Sequence, residues 1–183
     1  MKKWLFIFLL FSGLGVAAQQ DAAYEKFLST TNEIAFKDSL LIDSIYIAIE
    51  PMDTFTVKKW FSNALSILNN NRLKKRDYYL MGKITYHENF NLLIVVEEKE
   101  RKIKDDMQVI YFISTKKNGD YITSLEVAVN GSKNKADFST FSYFYRDDTL
   151  KRNTQFKLNE LNYADINIYH LTKSGRFLLA PNY

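Results

Sequence analysis

The sequence predicts a β-dominated α+β fold: one or two N-terminal helices, then a curled antiparallel β-meander of seven to eight strands, strongly curled or closed into a barrel. Three observations predict it. Apolar residues take helical spacing in two stretches before about residue 70; from Asp77 onward the period falls to two; and turn residues recur there at short intervals.

Ahead of these elements stands a segment of another kind. Lys2 and Lys3 precede an apolar run, Trp4 to Phe11, that ends in the small residues Gly13, Gly15, Ala17 and Ala18. The run is too short to span a bilayer of roughly 30 Å as a helix, and Val16-Ala17-Ala18 suits a signal peptidase, so residues 1–18 read as a secretory signal peptide cleaved after Ala18. Residues 19–183 are then one β-rich domain with a helical part over about 19–70, exported to the periplasm or outside the cell, with no transmembrane segment.

In the helical part, Tyr24, Phe27, Leu28 and Thr31 fall at helical spacing within Gln19 to Ala35. Ser39 to Glu50 is dense in β-branched residues and stops at Pro51, which reads as a strand with a helix as the alternative. Asp53 and Thr54 can cap a helix whose apolar positions Val57, Trp60, Phe61, Ala64, Leu65 and Leu68 share one face, ending at Asn69-Asn70-Asn71. The basic residues Arg72, Lys74, Lys75 and Arg76 follow, where they complement the negative end of that helix.

The meander opens with Tyr78 to Tyr86, turns at His87-Glu88-Asn89 and returns as Phe90 to Lys99, whose Leu92 to Val96 run predicts burial on both faces. After the charged loop Glu97 to Asp106 come Met107 to Thr115, a Lys117-Asn118-Gly119 turn read as type I′, and Tyr121 to Val129. Asn130 to Lys135 is a loop. Phe138 to Tyr145 turns at Asp147-Asp148 into Leu150 to Leu158; after a connection over Asn159 to Asp165, Ile166 to Leu171 turns at Ser174-Gly175 into Arg176 to Leu179. Lys117 to Ile122 echoes Lys173 to Leu178, which turn chemistry explains more simply than a repeat.

Composition narrows function by exclusion. The chain has no cysteine, which removes thiol catalysis, thiolate metal sites, disulfides and a lipidated N-terminal cysteine. Without Lys2 and Lys3 there are 23 basic against 21 acidic side chains, a net charge of +2, too balanced to attract nucleic acid. Gly-rich phosphate loops and serine-nucleophile motifs are absent, and the two histidines, His87 and His170, lack metal-ligand spacing and read as solvated. No cofactor is implied.

Two features remain. Glu97, Glu98, Glu100, Asp105, Asp106, Asp147 and Asp148 are the acids from which a glycan-acting hydrolase would need a pair across a cleft, although their setting reads as a solvated charged loop and a turn. Aromatics make up 15% of the chain, and Phe141, Tyr143 and Tyr145 alternate onto one strand face, with Tyr111 and Tyr121 expected on neighbouring strands. The favoured reading is a non-enzymatic binding module of the cell envelope, holding a protein or glycan partner through these five residues or through the rim loops Lys99 to Asp106 and Asn130 to Asp137. The alternatives are a lipocalin-like carrier of an apolar ligand, with Ile110, Phe112, Val127 and Val129 lining a cavity, and the hydrolase.

Overall fold

A computed structural model of the chain describes residues 22–65, 73, 75–99, 107–133 and 136–181; the proposed signal peptide, Leu68 and the charged segment 100–106 lie outside them. Two short helices accompany a nine-stranded antiparallel sheet. Helix α1 covers residues 22–29. Strand β1, Ser39–Ile42, is far shorter than the expected Ser39 to Glu50 strand, because the chain beyond it crosses the molecule as an irregular segment pinned by Gln108, whose amide donates to the Ile45 carbonyl and accepts from the Ile45 N–H. Helix α2 starts at Thr54–Thr56 and continues as Val57–Phe61 in wider π turns. Asp53 caps it as expected, accepting from the Thr56 N–H at 2.9 Å and the Thr56 hydroxyl at 2.7 Å.

The other eight strands are β2 Arg76–Ile84, β3 Phe90–Lys99, β4 Met107–Lys116, β5 Tyr121–Lys133, β6 Ala136–Tyr145, β7 Thr149–Leu158, β8 Leu161–Leu171 and β9 Phe177–Leu179, each paired antiparallel with the next. Several features differ from the expectation. The loop expected over Asn130 to Lys135, and the rim loop Asn130 to Asp137 built on it, are replaced by paired strand: β5 continues to Lys133 and β6 resumes at Ala136, with Gly131 opposite Phe138 and Ser132 opposite Asp137, because the ladder between the two strands runs on to their shared end. Strand β8 begins at Leu161, since Asn159, with a φ of 53°, makes Asn159-Glu160 a two-residue hairpin turn where a longer connection was expected. At Lys117-Asn118-Gly119 only Gly119 has a positive φ, 93°, and its N–H bonds the Lys116 carbonyl, so the turn is type I followed by a left-handed residue rather than type I′. The Thr172 to Arg176 turn repeats that geometry at Gly175, φ 80°, which accounts for the sequence echo by turn chemistry.

The sheet is open, so the barrel alternative is corrected, and the cause is a fork at β6. Residues Ala136 to Thr140 of β6 pair with β5, but Ser142 to Tyr145 of the same edge pair with β1 instead. Where β5 loses its neighbour, side chains replace the ladder: the Ser142 hydroxyl donates to the Val127 carbonyl at 2.6 Å, and Arg152 donates to the Glu126 carbonyl at 3.0 Å. Past the fork, Phe144 and Leu150 pack against Phe112 and Val127 in the main core, with Phe112 and Phe144 edge to face at 5.2 Å. Ile110, Phe112 and Val127 are filled core positions and line no lumen.

A second core lies on the other face of β2–β4, where Val57, Phe61 and Leu65 meet Leu93, Val95 and Ile113. Leu92 to Val96 is therefore buried on both faces, as its unbroken apolar run requires. Trp60 packs on Tyr24 at 4.9 Å, and Gly119 passes beneath both rings so closely that a Cβ there would meet the Tyr24 ring at 2.9 Å. At the sheet's first edge, residues 32–34 bond Lys83 of β2 and cover it.

Candidate functional site

Alternation along β6 places Phe141, Tyr143 and Tyr145 on the face opposite the core-facing Phe144, as the sequence pattern requires. Phe141 and Tyr143 meet edge to face at 6.0 Å; Tyr143 and Tyr145 stack at 6.5 Å. Register extends this ladder sideways. Tyr143 pairs with Leu41 and Lys151, and Lys151 with Ile168; Phe141 pairs with Asn153, which pairs with Ile166; Tyr145 pairs with Ser39, and beyond the Phe144–Leu150 pair Thr149 leads to His170 and Leu178. Leu41, Ile166, Ile168 and Leu178 are all exposed. The open face is thus a continuous aromatic and aliphatic surface with Lys151 at its centre.

Tyr111 and Tyr121 are not part of it. They sit on β4 and β5 in the other half of the sheet, Tyr111 against Glu97 and the helix-side core, Tyr121 sharing a hydrogen bond with Ser124. The residues that do extend the ladder are aliphatic. Their signal was the alternation of Ile166 and Ile168 against Asn167, legible only once register sets β8 beside β7 and β6.

The acids are dispersed. Glu97, expected in a solvated loop, is 1% exposed, ion-paired with Arg76 and accepting a hydrogen bond from Tyr111. Arg76 accordingly belongs to this pair rather than to a helix end. Glu98 accepts from Gln108, and Asp147 accepts from the Thr149 N–H in its turn. Among the described residues no group of three or more His, Asp or Glu could hold a metal.

One polar cluster stands apart. His87, expected to be solvated, is buried, its ring stacked on Phe90 at 4.2 Å and tilted against Tyr86 at 4.1 Å. Asp148 reaches it from the β6–β7 turn, its Oδ1 lying 3.5 Å from His87 Nε2 and accepting the Tyr86 hydroxyl at 2.7 Å. Arg146 lies over the Tyr86 ring at 4.0 Å, and Lys117 donates to the His87 carbonyl. Burial pushes the His87 pKa below its usual value, with help from Lys117 and Arg146 and against the pull of Asp148; burial and Asp148 push Tyr86 up. Asp148 has a φ of 66° at the turn position that Gly119 occupies in the β4–β5 hairpin and Gly175 in the β8–β9 hairpin. Its side chain ties the loop that follows β2 to the β6–β7 turn. The geometry of the cluster, with Asp148 reaching both Tyr86 and His87 from a turn remote in sequence, is that of a clasp.

Comparison of the chain with protein-family models, curated proteins and solved structures finds no match.

Proposed function

We propose that this chain is exported, loses residues 1–18, and serves as a non-enzymatic binding module of the cell envelope that holds a protein partner on the open face of β1, β6, β7 and β8. The observation that carries the reading is the composition of that face, where Phe141, Tyr143 and Tyr145 are flanked by exposed aliphatic residues. Aliphatic side chains beside aromatic ones suit an apolar protein surface, and an apolar patch of this kind is ordinarily a contact site. Lys151 at the centre chooses among partners. Two copies packed face to face would oppose their Lys151 ammonium groups, so the partner is a different protein that brings an acidic group to that point.

A photo-crosslinking residue placed at Tyr143 or Ile168 in the native host tests this. The expected outcome is one cross-linked protein common to both positions and absent when the residue replaces the exposed Lys26 of α1, with Lys151→Glu abolishing it. Equal labelling at all three positions overturns the proposal. Export is tested separately by sequencing the N-terminus of the purified protein, which is expected to begin at Gln19.

A further inference from the structure

The outer edges of β2 and β8 are treated differently. On β2, Lys83 exchanges backbone hydrogen bonds with Asn32 and Ile34, and the Tyr78 carbonyl accepts from the Met52 N–H. On β8, the short strand β9 pairs only with Tyr169, His170 and Leu171, and the Ala180 N–H donates to the Ile168 carbonyl at 2.7 Å. Among the described strands, none pairs with the outer edge of Leu161 to Asn167. The Ile168 carbonyl points outward, so with a period of two Asn162, Ala164 and Ile166 also aim their backbone groups away from β7. In place of a strand, the neighbouring Asp165 carboxylate holds the Ile166 N–H at 2.9 Å, its other oxygen accepting from the Asn167 amide at 2.8 Å. Asn162 and Ala164 are exposed, as are Leu161 and Tyr163 on one side of the edge and Ile166 on the other.

Outward N–H and C=O groups at every second residue suit one kind of occupant, an extended strand. The bounds of the free stretch and its single charge choose which strand. The stretch runs from the β7–β8 turn to β9, and its midpoint is Ala164. Two copies laid antiparallel about Ala164 use all of it, with Leu161 opposite Asn167, Asn162 opposite Ile166, and Tyr163 opposite Asp165 of the second copy. The adjacent registers fit less well. A dyad at Asp165 opposes two carboxylates and, like one at Ile166, runs Leu161 of each copy into the other's β9; a dyad at Tyr163 shortens the pairing. Centring on Ala164 also sends the two Lys151 side chains to opposite ends of the seam, because each lies level with Ile168.

We infer that two copies of this chain pair antiparallel through the free edge of β8, with Ala164 facing Ala164 at the dyad. About six backbone hydrogen bonds form, and the Ile166 N–H passes from Asp165 to the Asn162 carbonyl of the second copy. The seam engages far fewer than the roughly 20 to 30 residues a side of a standard interface, so the dimer is weak and concentration-dependent. It rests on the backbone of one edge, and stands or falls separately from the protein-partner reading of the open face.

Sedimentation velocity of the purified chain over a concentration series tests this. A monomer–dimer equilibrium is expected, and Ala164→Pro is expected to abolish the dimer by removing an N–H from the centre of the seam. That N–H faces solvent in the single copy, so the fold is expected to survive. A second reading uses the absence of cysteine from the chain. Facing residues at the dyad lie about 5.5 Å apart between Cα atoms, within disulfide reach, so mild oxidation is expected to cross-link Ala164→Cys and to leave Lys26→Cys on exposed α1 a monomer. A monomer at every concentration, which would leave the edge to a strand of another protein, overturns the inference. So does a dimer that persists in Ala164→Pro, or equal cross-linking at the two cysteine positions.

Discussion

The β2–β5 half of the sheet and the β6–β9 half belong to one continuous meander, yet they are covered differently. Helices close one face of the first half and the main core closes the other; the second half has a core on one face of its Phe144 and Leu150 end and an open face behind it. The sequence pattern follows the layers. Leu92 to Val96 is an unbroken apolar run because both sides need apolar surface, whereas β8 alternates Asp165, Ile166, Asn167 and Ile168. The difference teaches that exposed aliphatic residues on β8 are not core residues left uncovered by accident, since the same chain supplies a covering layer elsewhere.

The widest gap between the halves is expected from equivalent truncations. Leu93→Ala, at a position with no exposure between sheet and helix, should cost about 2 to 5 kcal/mol in urea unfolding, while Ile168→Ala on the open face should stay within about 0.5 kcal/mol. Equal losses would mean that the open face is covered in solution. Next in size is Arg76→Met, which removes the guanidinium from the buried Glu97 carboxylate and should cost about 3 kcal/mol, with Arg76→Met/Glu97→Gln milder than the single change. A double variant as unstable as the single one would show that charge is not the cause.

A smaller effect separates the hairpins. Gly175→Ala places a side chain at a φ of 80° against Phe90 and should cost about 2 kcal/mol, whereas Asp148→Gly relieves a left-handed residue while losing the Tyr86 hydrogen bond and should change stability by under about 1 kcal/mol. A larger loss in Asp148→Gly would mean that the carboxylate contributes more through His87 than the geometry suggests. The smallest effect is the pH dependence of the clasp. Because the folded pKa of His87 lies below the usual 6.5, the neutral ring is the favoured folded form; its contribution is fully present above pH 6.5 and is lost as pH falls through the lower folded value. Asp148, Lys117 and Arg146 are the charged groups facing it, and His87→Phe, which keeps the ring stack on Phe90, should flatten this part of the stability-against-pH curve.

Much of the candidate site was readable before register was known, but only within single strands. The shared face of Phe141, Tyr143 and Tyr145 follows from the period of two, a local property of one strand. That Ile168 rather than Tyr111 joins them depends on which strands become neighbours, and β4 and β6 are separated by β5. His87 and Glu97 differ from their expectation for a related reason: a polar residue beside turn or charged neighbours reads as solvated, and burial is decided by partners remote in sequence, Asp148 for one and Arg76 for the other.

By itself, the sequence determined the meander, the Asp53-capped helix, the doubly buried Leu92 to Val96 strand and the turns at Gly119 and Gly175, because periodicity, capping and turn chemistry act over a few residues. Tertiary structure alone decided the fork at β6, the insertion of β1 beside Tyr143, the open sheet, and the clasp between Tyr86, His87 and Asp148. These depend on how a twisted sheet fills space, and on which backbone groups lose their partners when it splits; contacts of that kind span many residues and leave no local pattern to read.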